Sequence, residues 1–284
     1  MTTAINACTR VLTLLGDPVS HSLSPIIQNA ACVAAGVDGV YVALHCDQER
    51  LPMLMESIAQ AGGGGNVTLP HKERAAAVVK HPSEAVRRTG ACNTFWSEEG
   101  QIHGDNTDVE GFRRALERFL GRSPRDHRVL ILGAGGAARA VLLSLLDEGV
   151  KDITLYNRTV ERARAVSRRI GGERVRVVGP VEELDGGGFD LVVNSTRLGL
   201  DPADPVPLDL NRLERVGGVM DLAYGDAPTV FVQEARAFGV PATDGGEMLV
   251  QQGAASFERW WGEEAPVDSM RAALEARREG KGAP

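Results

Sequence analysis

Cysteine is scarce in this 284-residue chain and scattered where it occurs. Cys8, Cys32, Cys46 and Cys92 form no C-x-x-C pair, so neither a disulfide framework nor a zinc site is supported, and reduced, mostly buried thiols are expected. The six histidines show no ligand spacing, and no metal is expected. Positive charge is short as well, with 31 basic against 38 acidic residues and a net charge of −7. A nucleic-acid binder needs a basic face for phosphates, so nucleic acid is not expected as a partner, although a local basic patch can still hold a small anion. No apolar run approaches the about 20 residues that cross a bilayer. The first residues lack the basic-then-apolar pattern of a secretory leader. The protein is therefore expected in the cytoplasm, away from membranes. Internal repeats and low-complexity tracts are missing too.

What remains is a globular composition, 43% hydrophobic and 24% charged, which can bury a sizeable core. The length exceeds one usual domain, so two are expected. Strand-like and helix-like segments alternate. RVLTLLG (Arg10 to Gly16) reads as a strand, and SPIIQNAACVAAG (Ser24 to Gly36) as a helix with a serine cap, proline at its first position and glycine past its end. VYVALHC is the next strand and LPMLMESIAQAG the next helix. Gly62 to Gly65 then read as a flexible cap and connection ahead of NVTLP. RAAAVVK and VEGFRRALERFLG continue as helices, and the polar RSPRDH, residues 122–127, marks the best domain boundary. Beyond it, strands at ITLYN, VRVVG, FDLVVNST, GGVMDLAY and VPATDG alternate with helical segments, and EMLVQQGAASFERWWG is a late helix. Apolar strands between helices imply an α/β fold with parallel sheets covered on both faces.

ILGAGGAARA has the form G-x-G-x-x-A, with Gly133, Gly135 and Ala138, directly after a strand and opening a helix. Such glycines permit a tight turn and let the backbone approach a pyrophosphate resting on the positive helix end. A plain glycine-rich turn is the alternative, and the flanking strands favour nucleotide binding. About twenty residues on, an NAD site wants an acid for the ribose hydroxyls. This chain has Asn157, Arg158 and Thr159 there. A neutral residue beside an arginine suits a 2′-phosphate, which favours NADP over NAD and counts against an S-adenosylmethionine site. Asn194, Ser195 and Thr196 end a further strand, where a plain turn and a cofactor contact are equally good readings.

NVTLPHKE sets Lys72 in the first turn of a helix, where unpaired N–H groups already carry partial positive charge. Either solvent screens that lysine or it is kept for chemistry. Ser22 and Ser24 precede a helix and could cap it or receive a carboxylate. Thr107 and Glu110 fit a capping box, and Asp108 suits a helix start without any active site. Asn93 stands among apolar neighbours, where its amide must find partners. Gln252 shares a helix flank with Met248.

Taken in order, GDPVSHSLSP, NVTLPHKE, GACNTF, GDNTD, GAGGAARA, NRT, NSTRLG, DLAY and DGGEMLVQQ resemble the shikimate dehydrogenase family, over about Leu12 to Trp261. The resemblance implies an enzyme with a substrate domain over 1–111, a Rossmann-type doubly wound NADP domain over 122–244, and C-terminal helices over 245–284 that return to the first domain. It implies reduction of 3-dehydroshikimate to shikimate with NADPH, in the pathway to aromatic amino acids. On that pattern Ser22 and Ser24 hold the substrate carboxylate, and Thr68, Asn93 and Gln252 its hydroxyls. Lys72 and Asp108 are the catalytic pair, Asp108 also touching substrate, and Tyr224 lines the junction of substrate and nicotinamide. Gly133, Ala134, Gly135, Gly136, Ala137, Asn157, Arg158, Thr159 and Arg162 match cofactor contacts, as do Ser195, Thr196, Leu222 and Gly245. A free lysine holds its proton at neutral pH, so Lys72 is expected to protonate the carbonyl. Glu247, which adds charge near the expected nicotinamide, and Gly225–Asp226 after Tyr224 depart from the family pattern. A quinate or aminoshikimate dehydrogenase, possibly using NAD, stays open beside this reading. So do a non-catalytic NADP-binding regulatory protein and another Rossmann enzyme such as a methylenetetrahydrofolate dehydrogenase. Small-molecule substrate is the expected partner, and the chain is expected as a monomer or homodimer.

Overall fold

A computed structural model of the chain describes residues 5–280 other than 200 and 202. The chain divides into two compact units, one of the residues up to Gly111 together with those from Leu249 on, the other Phe112–Met248. The polar stretch 122–127 lies within the second unit.

In chain order the first elements are β1 (Arg10–Gly16), α1 (Ser24–Ala35), β2 (Gly39–His45), α2 (Leu51–Gln60), β3 (Gly64–Val67) and α3 (Lys72–Val78). Next come β4 (His81–Pro82), α4 (Glu84–Thr89), β5 (Thr94–Glu98), β6 (Gln101–Asp105) and α5 (Thr107–Leu120). The second unit adds β7 (Arg128–Leu132), α6 (Gly136–Asp147), β8 (Asp152–Tyr156), α7 (Val160–Val166), β9 (Val175–Val178), β10 (Gly188–Phe189) and β11 (Leu191–Asn194). It continues with β12 (Arg215–Val216), β13 (Val219–Asp221), α8 (Val230–Ala237), β14 (Ala242–Thr243) and the start of α9 (Gly246–Trp261). The rest of α9 and α10 (Val267–Arg278) belong to the first unit, where α10 packs on α1.

The first sheet has the order β2-β1-β3-β5-β6-β4. It is mixed rather than parallel, because β5 runs antiparallel to both β3 and β6. The cause is the turn between β5 and β6. Glu99 (φ 52°) and Gly100 (φ 73°) both take positive φ, the two-residue geometry that joins antiparallel strands directly. Side chains alternate across β1: Leu12 and Leu14 pack with Tyr41 and Trp260, whereas Leu15 packs with Leu51, Met55 and Phe95.

The run of four glycines is not a flexible connection. Gly62, at φ 78°, closes α2, and Gly64 and Gly65 are already strand. A Cβ on Gly64 would fall 2.6 Å from the Phe95 carbonyl oxygen, and one on Gly65 2.1 Å from that of Thr13. Bare backbone is what lets β3 lie between β1 and β5. Ser24 is not a cap either. It is the first residue of α1, the cap position falls on Leu23 without a side-chain bond, and the Ser22 hydroxyl accepts from the Ser24 N–H at 3.2 Å.

The second sheet has the order β14-β13-β11-β7-β8-β9, and every pair in it is parallel. The chain builds outward from β7 to β8 and β9, then returns to β11 on the other side of β7. That reversal is the switch point of a doubly wound sheet. Leu130, Leu132, Val192, Val219 and Phe231 centre its core. Of the four free cysteines, Cys8 is exposed and the other three are buried. Burial pushes the Cys32 and Cys92 thiols up to about 11 and about 12.

Candidate active site

In the first unit β1, β3 and β6 end, and antiparallel β5 begins, at one edge of the sheet. The segments at that edge carry Ser22, Ser24, Thr68, Lys72, Asn93 and Asp108. Lys72 opens α3, and its Nζ donates to Asp108 Oδ2 at 2.5 Å. The pair is largely out of solvent, with side chains 16% and 7% exposed. Asn93 Nδ2 donates to the other carboxylate oxygen, Asp108 Oδ1, at 2.9 Å, and lies 3.4 Å from Gln252 Oε1. Asn93 Oδ1 accepts from the Thr107 N–H at 2.8 Å. Both oxygens of Asp108 are thus held, so its rotation is blocked and the ammonium is fixed in place. Charge-assisted bonds of this kind are about twice as strong as neutral ones. The structure therefore brings Lys72, Asn93, Asp108 and Gln252 together. Ser22 and Ser24 stand at the start of α1, and half-buried Thr68 follows β3.

Behind this group lies a buried polar hub that the sequence reading passed over. Ser256 Oγ lies 2.8 Å from Thr94 Oγ1 and 2.9 Å from Thr107 Oγ1, accepts from Asn66 Nδ2 at 2.9 Å, and donates to the Gln252 carbonyl at 2.9 Å. Tyr41 closes it by donating to Asn66 Oδ1 at 2.8 Å. Thr107 is the first residue of α5, and its hydroxyl is engaged in the hub. Ser256 lies four residues after Gln252, on the same helix flank; that spacing was the available signal. His71 was missed as well. It is buried, and its Nε2 donates to the Cys46 carbonyl at 2.8 Å, a bond that fixes its tautomer and pins the start of α3.

In the second unit β7, β8, β11 and β13 all end at one edge, and their loops carry Gly133, Asn157, Ser195 and Leu222. Gly133 has φ 110°, and its N–H donates to the Tyr156 carbonyl at 2.8 Å. A Cβ on it would sit 2.9 Å from Ser195 Oγ, so glycine is required. Gly135 differs: a Cβ there meets nothing within 4 Å. The turn therefore leaves open space at the N-terminus of α6, with Gly136 and Ala137 in its first turn and Ala134 half-buried, a cradle in which a pyrophosphate fits. Asn157 Nδ2 donates to the Thr159 carbonyl at 2.8 Å, which shapes the turn into α7, and Arg158, Thr159 and Arg162 are exposed. No acid occupies that turn, and exposed guanidinium groups suit a 2′-phosphate. Ser195 Oγ donates to the Leu132 carbonyl at 2.6 Å, and Thr196 Oγ1 to Asn194 Oδ1 at 2.7 Å. Gly245 is buried where a Cβ would fall 2.2 Å from the Leu222 carbonyl oxygen. Tyr224 is half-buried after β13. Glu247 lies 3.7 Å from Arg118, so its charge has a counter-ion.

Asp221 was also missed. It is fully buried and accepts from Asn194 Nδ2 at 2.7 Å, the Ala223 N–H at 3.0 Å and Thr229 Oγ1 at 2.6 Å. One carboxylate thereby ties together the loops after β11 and β13 and the start of α8. Desolvation raises its pKa above the ordinary value, against the lowering effect of those bonds.

A doubly wound sheet with a glycine cradle at its switch point in the second unit, and a lysine–carboxylate pair among amides in the first, define a nucleotide-dependent oxidoreductase. Three family models match the chain: the shikimate dehydrogenase substrate binding domain over residues 14–95, shikimate / quinate 5-dehydrogenase over 115–197, and the shikimate 5'-dehydrogenase C-terminal domain over 245–275. The chain is 40% identical over 281 residues to a shikimate dehydrogenase (NADP(+)) of Methanopyrus kandleri, covering 95% of this chain and 97% of that one. It is 41% identical over 276 residues to another from Rubrobacter xylanophilus, with the same coverage. A crystal structure of shikimate 5-dehydrogenase from Thermus thermophilus, in complex with NADP(H) and shikimate, superposes with a TM-score of 0.85 at 37% identity, covering 95% of this chain and all of that one. The chain belongs to the shikimate dehydrogenase family. Among the described residues no helix is long and apolar enough to cross a membrane, and no group of three or more His, Cys, Asp or Glu could hold a metal ion.

Proposed function

We propose that the chain catalyses the reversible reduction of 3-dehydroshikimate to shikimate with NADPH, in the pathway to aromatic amino acids. The observation that carries this reading is the Lys72–Asp108 pair, held on its far side by Asn93, within a family frame that spans nearly the whole chain. Residues 1–111 bind substrate, 122–244 bind cofactor, and 245–284 complete the substrate side through Gln252.

Ser22 and Ser24 receive the substrate carboxylate, and Thr68, Asn93 and Gln252 take its hydroxyls, with Tyr224 against the ring. Lys72 gives a proton to the carbonyl oxygen, and Asp108 keeps the ammonium aimed and accepts from a neighbouring hydroxyl. Bound NADPH supplies the hydride. The Gly133–Ala137 turn holds the pyrophosphate, Arg158 and Arg162 the 2′-phosphate with Asn157 and Thr159 shaping that turn, and Ser195, Thr196, Leu222 and Gly245 the nicotinamide half. The enzyme works in the cytoplasm as a monomer or homodimer.

The test is purified protein given NADPH or NADH with dehydroshikimate or dehydroquinate, followed by loss of reduced-cofactor absorbance. Fastest turnover with NADPH and dehydroshikimate is expected. Lack of turnover in every combination would sink the enzymatic reading, and faster turnover with NADH would overturn the assignment of Arg158.

A further inference from the structure

The polar hub behind the lysine–carboxylate pair has a donor order set by its backbone partners, since a carbonyl only accepts and an N–H only donates. Asn66 Nδ2 donates to the Asn93 carbonyl at 3.1 Å, which sets the Asn66 amide. The Thr107 N–H donates to Asn93 Oδ1 at 2.8 Å, which sets the amide of Asn93. The two Asn66 amide hydrogens then have acceptors in the Asn93 carbonyl and in Thr94 Oγ1, the latter at 3.0 Å. The Thr94 and Thr107 hydroxyls both reach Asn93 Oδ1, at 2.9 and 3.1 Å. These groups come from β3, the start of β5 and the start of α5, and they satisfy one another without Ser256.

Ser256 adds a link of another kind, to α9. It is fully buried, and its Oγ lies 2.8 Å from Thr94 Oγ1, 2.9 Å from Thr107 Oγ1 and 2.9 Å from Asn66 Nδ2. Its one proton goes to the Gln252 carbonyl at 2.9 Å, the bond to the preceding turn that helical serines make. Its lone pairs are thereby left for the Asn66 amide and a threonine hydroxyl. Gln252 lies one turn earlier on the same flank. Gln252 Nε2 donates to the Leu249 carbonyl at 2.9 Å, so Oε1 is the atom it presents, 3.4 Å from Asn93 Nδ2. Contact with Gly111 limits how near this turn of α9 comes to α5. The Ser256 bonds keep it from moving off. Gln28 ties the helix elsewhere, to α1 through the Gly253 carbonyl at 2.9 Å, whereas Ser256 ties it to the residues around Asn93. All of these residues belong to the first unit.

We infer that Ser256 is a positioning residue for substrate: by fixing the place of α9 it holds Gln252 beside Asn93 and so tightens the grip on the substrate hydroxyl without touching substrate. The inference rests on the proposed reaction and deepens its substrate site. Lys72 and Asp108 are held by each other and by Asn93. Loss of the Ser256 hydroxyl should therefore fall on substrate binding and spare the chemical step.

The test is a double-mutant cycle of Ser256→Ala and Gln252→Ala in the full chain. It is read by steady-state rates with NADPH and dehydroshikimate, and by calorimetric titration with shikimate. Ser256→Ala should raise KM and the shikimate dissociation constant about two- to tenfold, the range of one hydrogen bond, with kcat within about twofold of wild type and NADPH affinity unchanged. In the Gln252→Ala background the same change should alter both constants by less than about twofold, because residues that act through one another are not additive. A merely structural loss would instead act alike in both backgrounds. Unchanged constants in Ser256→Ala, an equal rise in both backgrounds, a loss confined to kcat, or a matching loss of NADPH affinity would each overturn the inference. Absence of turnover in wild type would overturn the proposed reaction instead, and the shikimate titration would still decide the role of Ser256.

Discussion

Lys72 and Asp108 are largely shielded from water, so removing either charge leaves the other poorly compensated. Lys72→Ala should lower kcat by about 10²–10⁴-fold, the usual worth of a positioned proton donor, with little change in KM because the substrate's hydroxyl and carboxylate partners remain. Steady-state rates on protein with an unchanged circular dichroism spectrum check this, and near-normal turnover would refute the role. Asp221 makes a different prediction, about pH. Its folded pKa lies above the ordinary 3.8 because of burial, so the folded state holds that proton more tightly than the unfolded chain. The linked stability is fully present below pH 3.8 and is lost as pH rises through the raised value. Asp221→Asn keeps an acceptor for Asn194 and Ala223, and the Thr229 hydroxyl can turn to accept. Urea midpoints should therefore favour wild type over the variant more at about pH 4 than at about pH 7. A gap independent of pH would show that the carboxyl does not titrate there.

At the level of elements, α5 and α9 meet where Gly111 faces Gln252. A Cβ on Gly111 would sit 2.5 Å from Gln252 Cβ and 2.6 Å from its backbone nitrogen. In an open helix Gly→Ala would gain about 1 kcal/mol; here the sign should reverse, because rigid backbone occupies the space. Gly111→Ala is expected to lower the melting temperature and raise KM for dehydroshikimate by moving Gln252 away from Asn93. A stabilised variant with wild-type KM would mean that the two helices do not touch as described. The same contrast between local and distant causes decides what could be read beforehand. The doubly wound sheet was legible because Gly133, Gly135 and the missing acid after β8 are local signals. Gly64 and Gly65 were misread because their reason is the carbonyls of Phe95 and Thr13, on strands far away in the chain. The Glu99–Gly100 turn was overlooked, so the first sheet was taken as parallel. Lys72, Asp108, Asn93 and Gln252 were identified through motif order, which says that they belong together. The supporting hub of Asn66, Thr94 and Ser256 needed the topology, since its members come from β3, β5 and α9.

Considered as a whole, each unit has hydrophobic core of its own, around Leu15, Met55 and Phe95 and around Leu12, Tyr41 and Trp260 in one, and around Leu130, Val192 and Phe231 in the other. A ligand of one unit should therefore leave its mark there first. Ligand that binds only the folded form stabilises it by about 2.7 kcal/mol at a hundred times Kd, and NADPH should raise the melting temperature more than equal NADH. Hydrogen exchange should slow at the turn after β7, at Asn157 to Arg162 and at Ser195–Thr196. Arg158→Ala removes one charge-assisted partner of the 2′-phosphate, worth about 1.5–3 kcal/mol, so it should weaken NADPH about 10–100-fold and leave NADH nearly untouched. Arg158 is exposed, and exposed substitutions usually change stability little, so the variant's melting temperature without nucleotide should match wild type. Equal weakening of both nucleotides would place Arg158 on the shared part of the dinucleotide, and the preference for NADP would then need another source.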